Sequence, residues 1–214
     1  MIEKKTEELY KNYLSQAQQR WVFGNSILYQ MCAENPGHDQ TDIIVGKLWL
    51  IGRSYAAAIE RRKTADGYQG DDFYYEVVAP KMLEIGKELD ARLAYLNNTD
   101  KSIKECIPDI LETHRFLMDA FTELTGLEKR SLASKYLHFH CPDKFYIYDS
   151  RARGAIDKLV KRPDKEILFG INKYDAEYGD FVCRMLELQE YFEENLGIHE
   201  TPRGIDNFLL MGVE

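Results

Sequence analysis

Twenty residues, Ser134–Arg153 (SKYLHFHCPDKFYIYDSRAR), hold the densest set of side chains able to do chemistry: Lys135, His138, His140, Asp143, Tyr146, Tyr148, Asp149, Arg151 and Arg153. Asp149 stands where a helix opens. Its carboxylate reads as an N-cap worth about 0.5–2 kcal/mol, or as a general base that orients a water. The two roles are compatible, because a capping carboxylate is rigidly placed. Arg151 and Arg153 follow within two turns, where cations oppose the helix dipole. Helix stability therefore does not account for them, which is a small sign of function. Tyr146 and Tyr148 alternate along an extended strip, which turns both phenols to one side. Core hydrogen bonding is their plainer account, and stacking on a base is the functional one. Lys135 and His138 share a helix face at i,i+3. His138 and His140 point differently, so HFH makes a poor metal pair, and no HExxH or two-histidine–carboxylate set occurs. No metal and no cofactor is expected. Serine chemistry lacks a frame, with neither GxSxG nor a phosphate-cradling glycine loop. Cys141 beside His140 is no dyad, since neighbouring side chains point apart.

A second stretch, GRSYAAAIERR, puts Arg53 after Gly52 within the most apolar helical segment of the chain. A buried guanidinium is costly without a partner. The structural account is an ion pair with an acidic residue of a neighbouring helix. The functional account is a clamp for phosphate or carboxylate, which its forked donors suit. The alanine run permits close backbone approach by another helix. Arg61 and Arg62 end the helix, where cations complement its dipole.

These residues must be positioned by helices. The 214 residues fit one domain, 1–214, or one with two lobes at 1–100 and 101–214. An apolar fraction of 44% with 12% aromatics implies a folded core. The net charge of −8 removes long-range attraction to phosphate backbones, although a local basic patch can still act. Cys32, Cys106, Cys141 and Cys183 stand alone, with no CxxC spacing, and read as buried reduced thiols. The start MIEKKTEE is no signal peptide, and the run Ile43–Ile59 is broken by Lys47 and Arg53, so neither export nor a membrane span is expected. The compartment expected is the cytoplasm. Oligomeric state is not readable, and the helix Tyr178–Asn195 serves either as a surface helix or as a dimer face.

Apolar spacing predicts helices over Glu3–Gln19, Ile27–Ala33 (capped by Asn25 or Ser26), and Asp39 or Thr41 to about Arg62. Lys63–Asp72 is a polar loop. Phe73–Ala79 resumes helical character, and Pro80 opens the next helix, through about Leu96. Further helices are expected over Ile103–Leu124 with Gly126 as its stop, Ser131–Phe139, and Asp149 or Ser150 to about Lys161. Tyr178–Asn195, closed by Gly197, and Thr201–Met211 complete the set. Phe145–Tyr148 is a brief extended segment. The expectation is an all-α, multi-helix bundle.

Ala133–His138 followed by Ile147-Tyr148-Asp149-Ser150-Arg151 resembles the ASHFLRN…AILDRH stretch of helix-hairpin-helix 8-oxoguanine DNA glycosylases. The segment is also similar to a group of uncharacterised bacterial proteins with SKxLHFxxPxxFPIYDS patterns, some of which share that glycosylase fold, and GRSYAAAIERR resembles the same group. The glycosylase-like part covers roughly residues 124–155. The resemblance implies a helix-hairpin-helix glycosylase-like fold, with Asp149 as the aspartate that assists while a lysine attacks the sugar. That lysine does not carry over. Aligned on Ala133-Ser134 its place is held by Ser131, and Lys129 or Lys135 needs a register shift. Of the hairpin glycines, Thr125-Gly126-Leu127-Glu128 keeps one. A glycosylase without lyase chemistry needs only the aspartate.

Three functions follow. In a nucleic-acid enzyme, Asp149 is the catalytic carboxylate with Lys135 as the second catalytic candidate. Lys135, Arg151 and Arg153 hold the backbone phosphates, a flipped base stacks on Tyr146 or Tyr148, and Arg53 and His138 are further substrate-binding candidates. A helical adaptor, antitoxin or defence-module subunit uses the same residues structurally. A small-molecule site for a nucleotide or acid lies between Arg53 and the 134–153 segment.

Overall fold

The computed structural model describes residues 2, 5–16, 21–61, 71–163 and 174–213. Among them the elements are α1 (Thr6–Gln16), α2 (Val22–Glu34), α3 (Thr41–Ser54), a π-helical turn (Tyr74–Val78), α4 (Ala79–Asn98), a 3₁₀ turn (Lys104–Cys106) and α5 (Ile107–Thr125). They continue with α6 (Arg130–His140), α7 (Ser150–Leu159), α8 (Ala176–Leu196) and α9 (Pro202–Gly212). The described residues are thus all-α, and their β pairing is an isolated antiparallel bridge between Ile2 and Val160. No described helix is long and apolar enough to cross a membrane.

The chain forms two compact units. A central unit takes residues 21–100 and 112–141, and a terminal unit takes residues 1–20, 101–111 and 142–214. In the central unit α6 packs on α2 and α3, and α3 also packs on α4. Ile44, Leu48 and Ile51 put one apolar stripe of α3 into this core, while every residue from Leu132 to Phe139 of α6 is buried. In the terminal unit α9 packs on α1, α7 and α8. There the rings of Tyr10, Phe192 and Phe208 pack at 4.4–5.4 Å between centroids.

Local signals place several boundaries. Gly126 (φ 70) stops α5, and Gly197 (φ 65) closes α8, both in the left-handed region that glycine adopts without strain. Thr201 caps α9 by accepting the Gly204 N–H, with Pro202 in its first turn. Other boundaries differ from expectation for physical reasons. α2 starts at Val22 and not beyond Asn25 or Ser26. Ser26 Oγ bonds back to Phe23 O at 2.8 Å, and Asn25 Oδ1 accepts the Tyr55 hydroxyl at 2.7 Å, so neither caps.

α3 ends at Ser54 and does not reach Arg62, which with residues 63–70 of the expected loop lies outside the described residues. Ala56 turns to φ 52, and Ala57 N–H bonds Gly52 O at 2.7 Å. A Cβ on Gly52 would stand 3.0 Å from Ala58 Cα, so the chain folds back over that glycine. The close approach made possible by the alanine run is therefore to the helix's own continuation. Arg61 sits in the following turn, not on the helix end.

Pro80 does not open a fresh helix either. Val78 and Ala79 keep right-handed helical backbone, and the wider π turn precedes the proline. Proline cannot donate to the carbonyl four residues back and its ring crowds that group, which a local widening relieves. The helices expected over Glu3–Gln19 and to Lys161 are described as Thr6–Gln16 and Ser150–Leu159, with residues 3, 4 and 17–19 outside the described set.

Candidate functional site

The residues singled out from the sequence divide between the units. In the central unit, α5 and α6 are joined by Gly126–Lys129, a four-residue hairpin. Lys129 Nζ donates to Arg61 O at 2.5 Å, and Arg130 pairs with Glu128 at 2.9 Å. Beside this hairpin lies an open depression of about 450 Å³ lined by Ala57, Arg61, Leu127, Lys129 and Ser131.

Lys135 lies one turn further along α6 and is only 3% exposed. Its ammonium donates to Ser131 Oγ at 2.9 Å and to Tyr55 O at 3.3 Å, so it secures the end of α3. His138 is fully buried, with Nε2 2.6 Å from the Tyr29 hydroxyl and its ring edge-on to Tyr29. Arg53 departs from the buried guanidinium expected: its side chain is 46% exposed, because α3 ends next to it. It stacks over Trp49 at 4.7 Å and pairs with Glu60 at 2.9 Å, in the turn after its own helix. Glu60 also accepts the Tyr74 hydroxyl at 2.5 Å.

The terminal unit holds the rest. Asp149 is half-buried with extended backbone, and its Oδ1 accepts the N–H groups of Arg151 (2.9 Å) and Ala152 (3.0 Å). Both capping bonds fall on Oδ1, which leaves Oδ2 out of the cap. Asp149→Ala should cost about 0.5–2 kcal/mol in urea unfolding and Asp149→Asn much less, since asparagine caps equally well. Equal losses would show that the cap is not what holds α7.

Arg151 donates to Leu210 O at 3.1 Å, in the last turn of α9. The cation that opposes the dipole of α7 thus complements that of α9. Arg153 meets Asp157 at 3.5 Å, one turn along α7. Tyr146 and Tyr148 do send both hydroxyls the same way, to Gln189 and Glu177 of α8. Tyr146 O accepts the Tyr178 hydroxyl at 3.0 Å, and burial holds the Tyr146 phenol far above its ordinary pKa. None of the four cysteines forms a disulfide. Burial pushes Cys32 up to about 12 and Cys183 up to about 11, so neither is a ready thiolate. Among the described residues no group of three or more His, Cys, Asp and Glu side chains is placed to hold a metal.

A buried polar cluster in the central unit escaped the sequence reading. The backbone N–H of His38 donates to Asp90 Oδ2 at 3.1 Å, its Nδ1 lies 2.5 Å from Asp90 Oδ1, and its Nε2 lies 2.7 Å from the Tyr136 hydroxyl. A carboxylate only accepts, so Nδ1 carries the proton and Nε2 accepts from the phenol. Lys47, wholly buried, donates to Asn35 O at 3.0 Å and Gly37 O at 2.9 Å. Burial pulls its ammonium down to about 8. His140 stacks on His38 with centroids 5.3 Å apart. A depression of about 360 Å³ lined by Gly37, Asp90, Leu93, Asn97 and His140 adjoins the cluster. Hydrogen-bonded members lie as far as 98 residues apart in the sequence, as between His38 and Tyr136, and no short-range spacing signals them.

No family model, curated protein or solved structure matches the chain.

Proposed function

We propose that the chain is a nucleic-acid-processing protein of helix-hairpin-helix, glycosylase-like type that works through Asp149 without a lysine nucleophile. The observation that carries this reading is the hairpin: α5 stops at a left-handed Gly126, α6 starts four residues later, and Arg61 and Lys129 border the open depression beside the turn. Such a turn presents backbone N–H groups and cations to a phosphate. Asp149, set by its cap with Oδ2 uncommitted, supplies a carboxylate to take the proton from a water. In that hydrolysis water adds to the sugar carbon as the bond to the base breaks, and the base leaves with a proton. Lys135, buried on Ser131 and Tyr55, is a support in this scheme and not a nucleophile.

The test is binding and cleavage of duplexes carrying an oxidised or mismatched base at low salt. Wild-type protein should bind and release the base. Asp149→Asn should lose turnover by at least about 100-fold while keeping affinity within about twofold. Lys129→Glu should weaken binding about tenfold whatever the sequence. Absence of binding at low salt would sink the proposal.

A second reading, a non-catalytic helical interaction protein, is favoured by one specific feature. Trp21 and Phe23 at the start of α2 are 80% and 79% exposed. Large exposed apolar groups that form a contiguous patch mark contact surfaces, and these two lie two residues apart with Val22, also exposed, between them. On that reading Asp149→Asn changes no activity on nucleic acid.

A further inference from the structure

The loop between α2 and α3, residues 35–40, has no regular hydrogen-bonded structure of its own and is held from three sides. Lys47 of α3 takes two of its carbonyls, Asp90 of α4 takes the His38 backbone N–H and ring, and Tyr136 of α6 takes the far ring nitrogen. His140, one turn beyond Tyr136, completes the stack. Its ring lies 4.4 Å from that of Tyr136 and 5.3 Å from that of His38, only 28° from parallel to the latter.

His140 Nδ1 is 2.8 Å from Tyr136 O. A carbonyl only accepts, so Nδ1 carries a hydrogen, and burial favours the neutral imidazole. A second proton has one place to go, Nε2, and that atom is buried with no hydrogen-bond partner. An imidazolium there would be a buried donor without an acceptor. The groups that act on it are Lys47 from α3, His38 from the loop and the Tyr136 carbonyl of its own helix, and around these the cluster adds Asp39 from the loop, Asp90 from α4 and Cys32 from α2. Of these the Lys47 cation acts on the His140 ring directly and repels the new charge, while the carboxylate of Asp90 is already committed to His38.

We propose that residues 35–40 form a proton-sensitive clasp, shut while His140 is neutral and released when His140 becomes an imidazolium. Opening the loop frees Nε2 to reach water and separates the ring from His38. The same movement uncovers Gly37 and Asp90, which border the 360 Å³ depression, so acid would change what that depression presents.

The direction is fixed by burial. Burial holds the His140 imidazole well below its ordinary 6.5, with the Lys47 charge as the next cause, and it holds His38 below the same value. A depressed folded-state value means that the clasp's contribution is complete above pH 6.5. It is lost as pH falls through the lowered values. Lys47 is also depressed, from 10.5 to about 8, but its contribution is complete only above 10.5 and falls away through about 8, outside the acid window.

Amide exchange and imidazole NMR between pH 7.5 and 4.5 test the clasp in the intact chain, with intrinsic exchange rates corrected for pH. The His38 amide should lose protection about tenfold per pH unit over the interval in which His140 titrates, while α4 and α5 amides keep theirs. His140→Phe, which keeps a stacked ring that cannot titrate, should make the pH dependence of the loop's protection clearly shallower across that interval, leaving only what His38 supplies. Three results would overturn the clasp: His140 protonating under an unchanged loop, the phenylalanine variant opening as the wild type does, or α4 and α5 opening together with the loop. The wild-type measurement stands by itself if the variant does not fold.

Discussion

Replacing Arg184 by alanine should lower the unfolding free energy by about 3 kcal/mol, read as a shift in the urea midpoint. Arg184 is almost fully buried in α8, where it pairs with Asp180 at 2.7 Å and also with Asp157 of α7. Asp180 is equally buried. Removing the guanidinium strands a carboxylate with little access to water, which costs about 3–5 kcal/mol in comparable sites. The lower end applies, because Arg162 remains 3.3 Å from Asp180 and its own side chain is 68% exposed and free to adjust. Replacing the pair together, Asp180→Leu with Arg184→Leu, should restore most of the loss, since no charge is then left buried. A loss under about 1 kcal/mol in the single variant would mean that Arg162 alone satisfies Asp180.

Gly86→Ala should be nearly as damaging, against its helix propensity. Alanine in a helix interior is favoured over glycine by about 1 kcal/mol. At Gly86 of α4, however, an added Cβ would stand 2.5 Å from His38 O and 3.0 Å from His38 Cβ. A backbone carbonyl cannot swing away as a flexible side chain does, so the loop must move, at about 1–3 kcal/mol for overpacking. The variant should lose stability and also expose the His38 amide at neutral pH. Gly46→Ala in α3 is the matched control. Nothing lies within 4 Å of its added Cβ, and it should gain up to about 1 kcal/mol. Equal stability of the two variants would remove the contact between Gly86 and His38 as a constraint.

What was legible in the sequence was what depends on residues near one another. Gly126, Gly197, Thr201-Pro202 and Asp149 act through backbone geometry within four residues, and each acts at the helix end where its type suggests. The end of α3 was not legible, because Tyr55–Ile59 carries no proline or glycine. The turn at Ala56 follows from Gly52 meeting Ala58, a contact that helical periodicity cannot register. The start of α2 was hidden in the same way, with Trp21 in the left-handed region and no capping side chain.

Among the singled-out residues, helix-start signals placed Asp149 as a cap, while Arg53 was misread, because its burial depended on a helix longer than the real one. Arg151 was flagged against its own helix, when its partner carbonyl lies in α9, 59 residues away. The His38–Asp90–Tyr136 cluster needed three separate segments brought together before any chemistry was visible.

The division of the chain into units also orders their assembly during synthesis. Residues 21–100 and 112–141, the whole of the central unit, are made before Pro142. The terminal unit is completed only later. Tyr10 of α1 bonds Glu200, 190 positions later, and the ring it packs on, Phe208, comes later still. At about 5–20 residues per second, that separation corresponds to roughly ten to forty seconds during which α1 carries an apolar face with nothing to cover it. Of the described helices α1 is thus made before the others yet is among the last to find its place, and for that interval its apolar face must be kept from sticking by something other than the fold of its own unit.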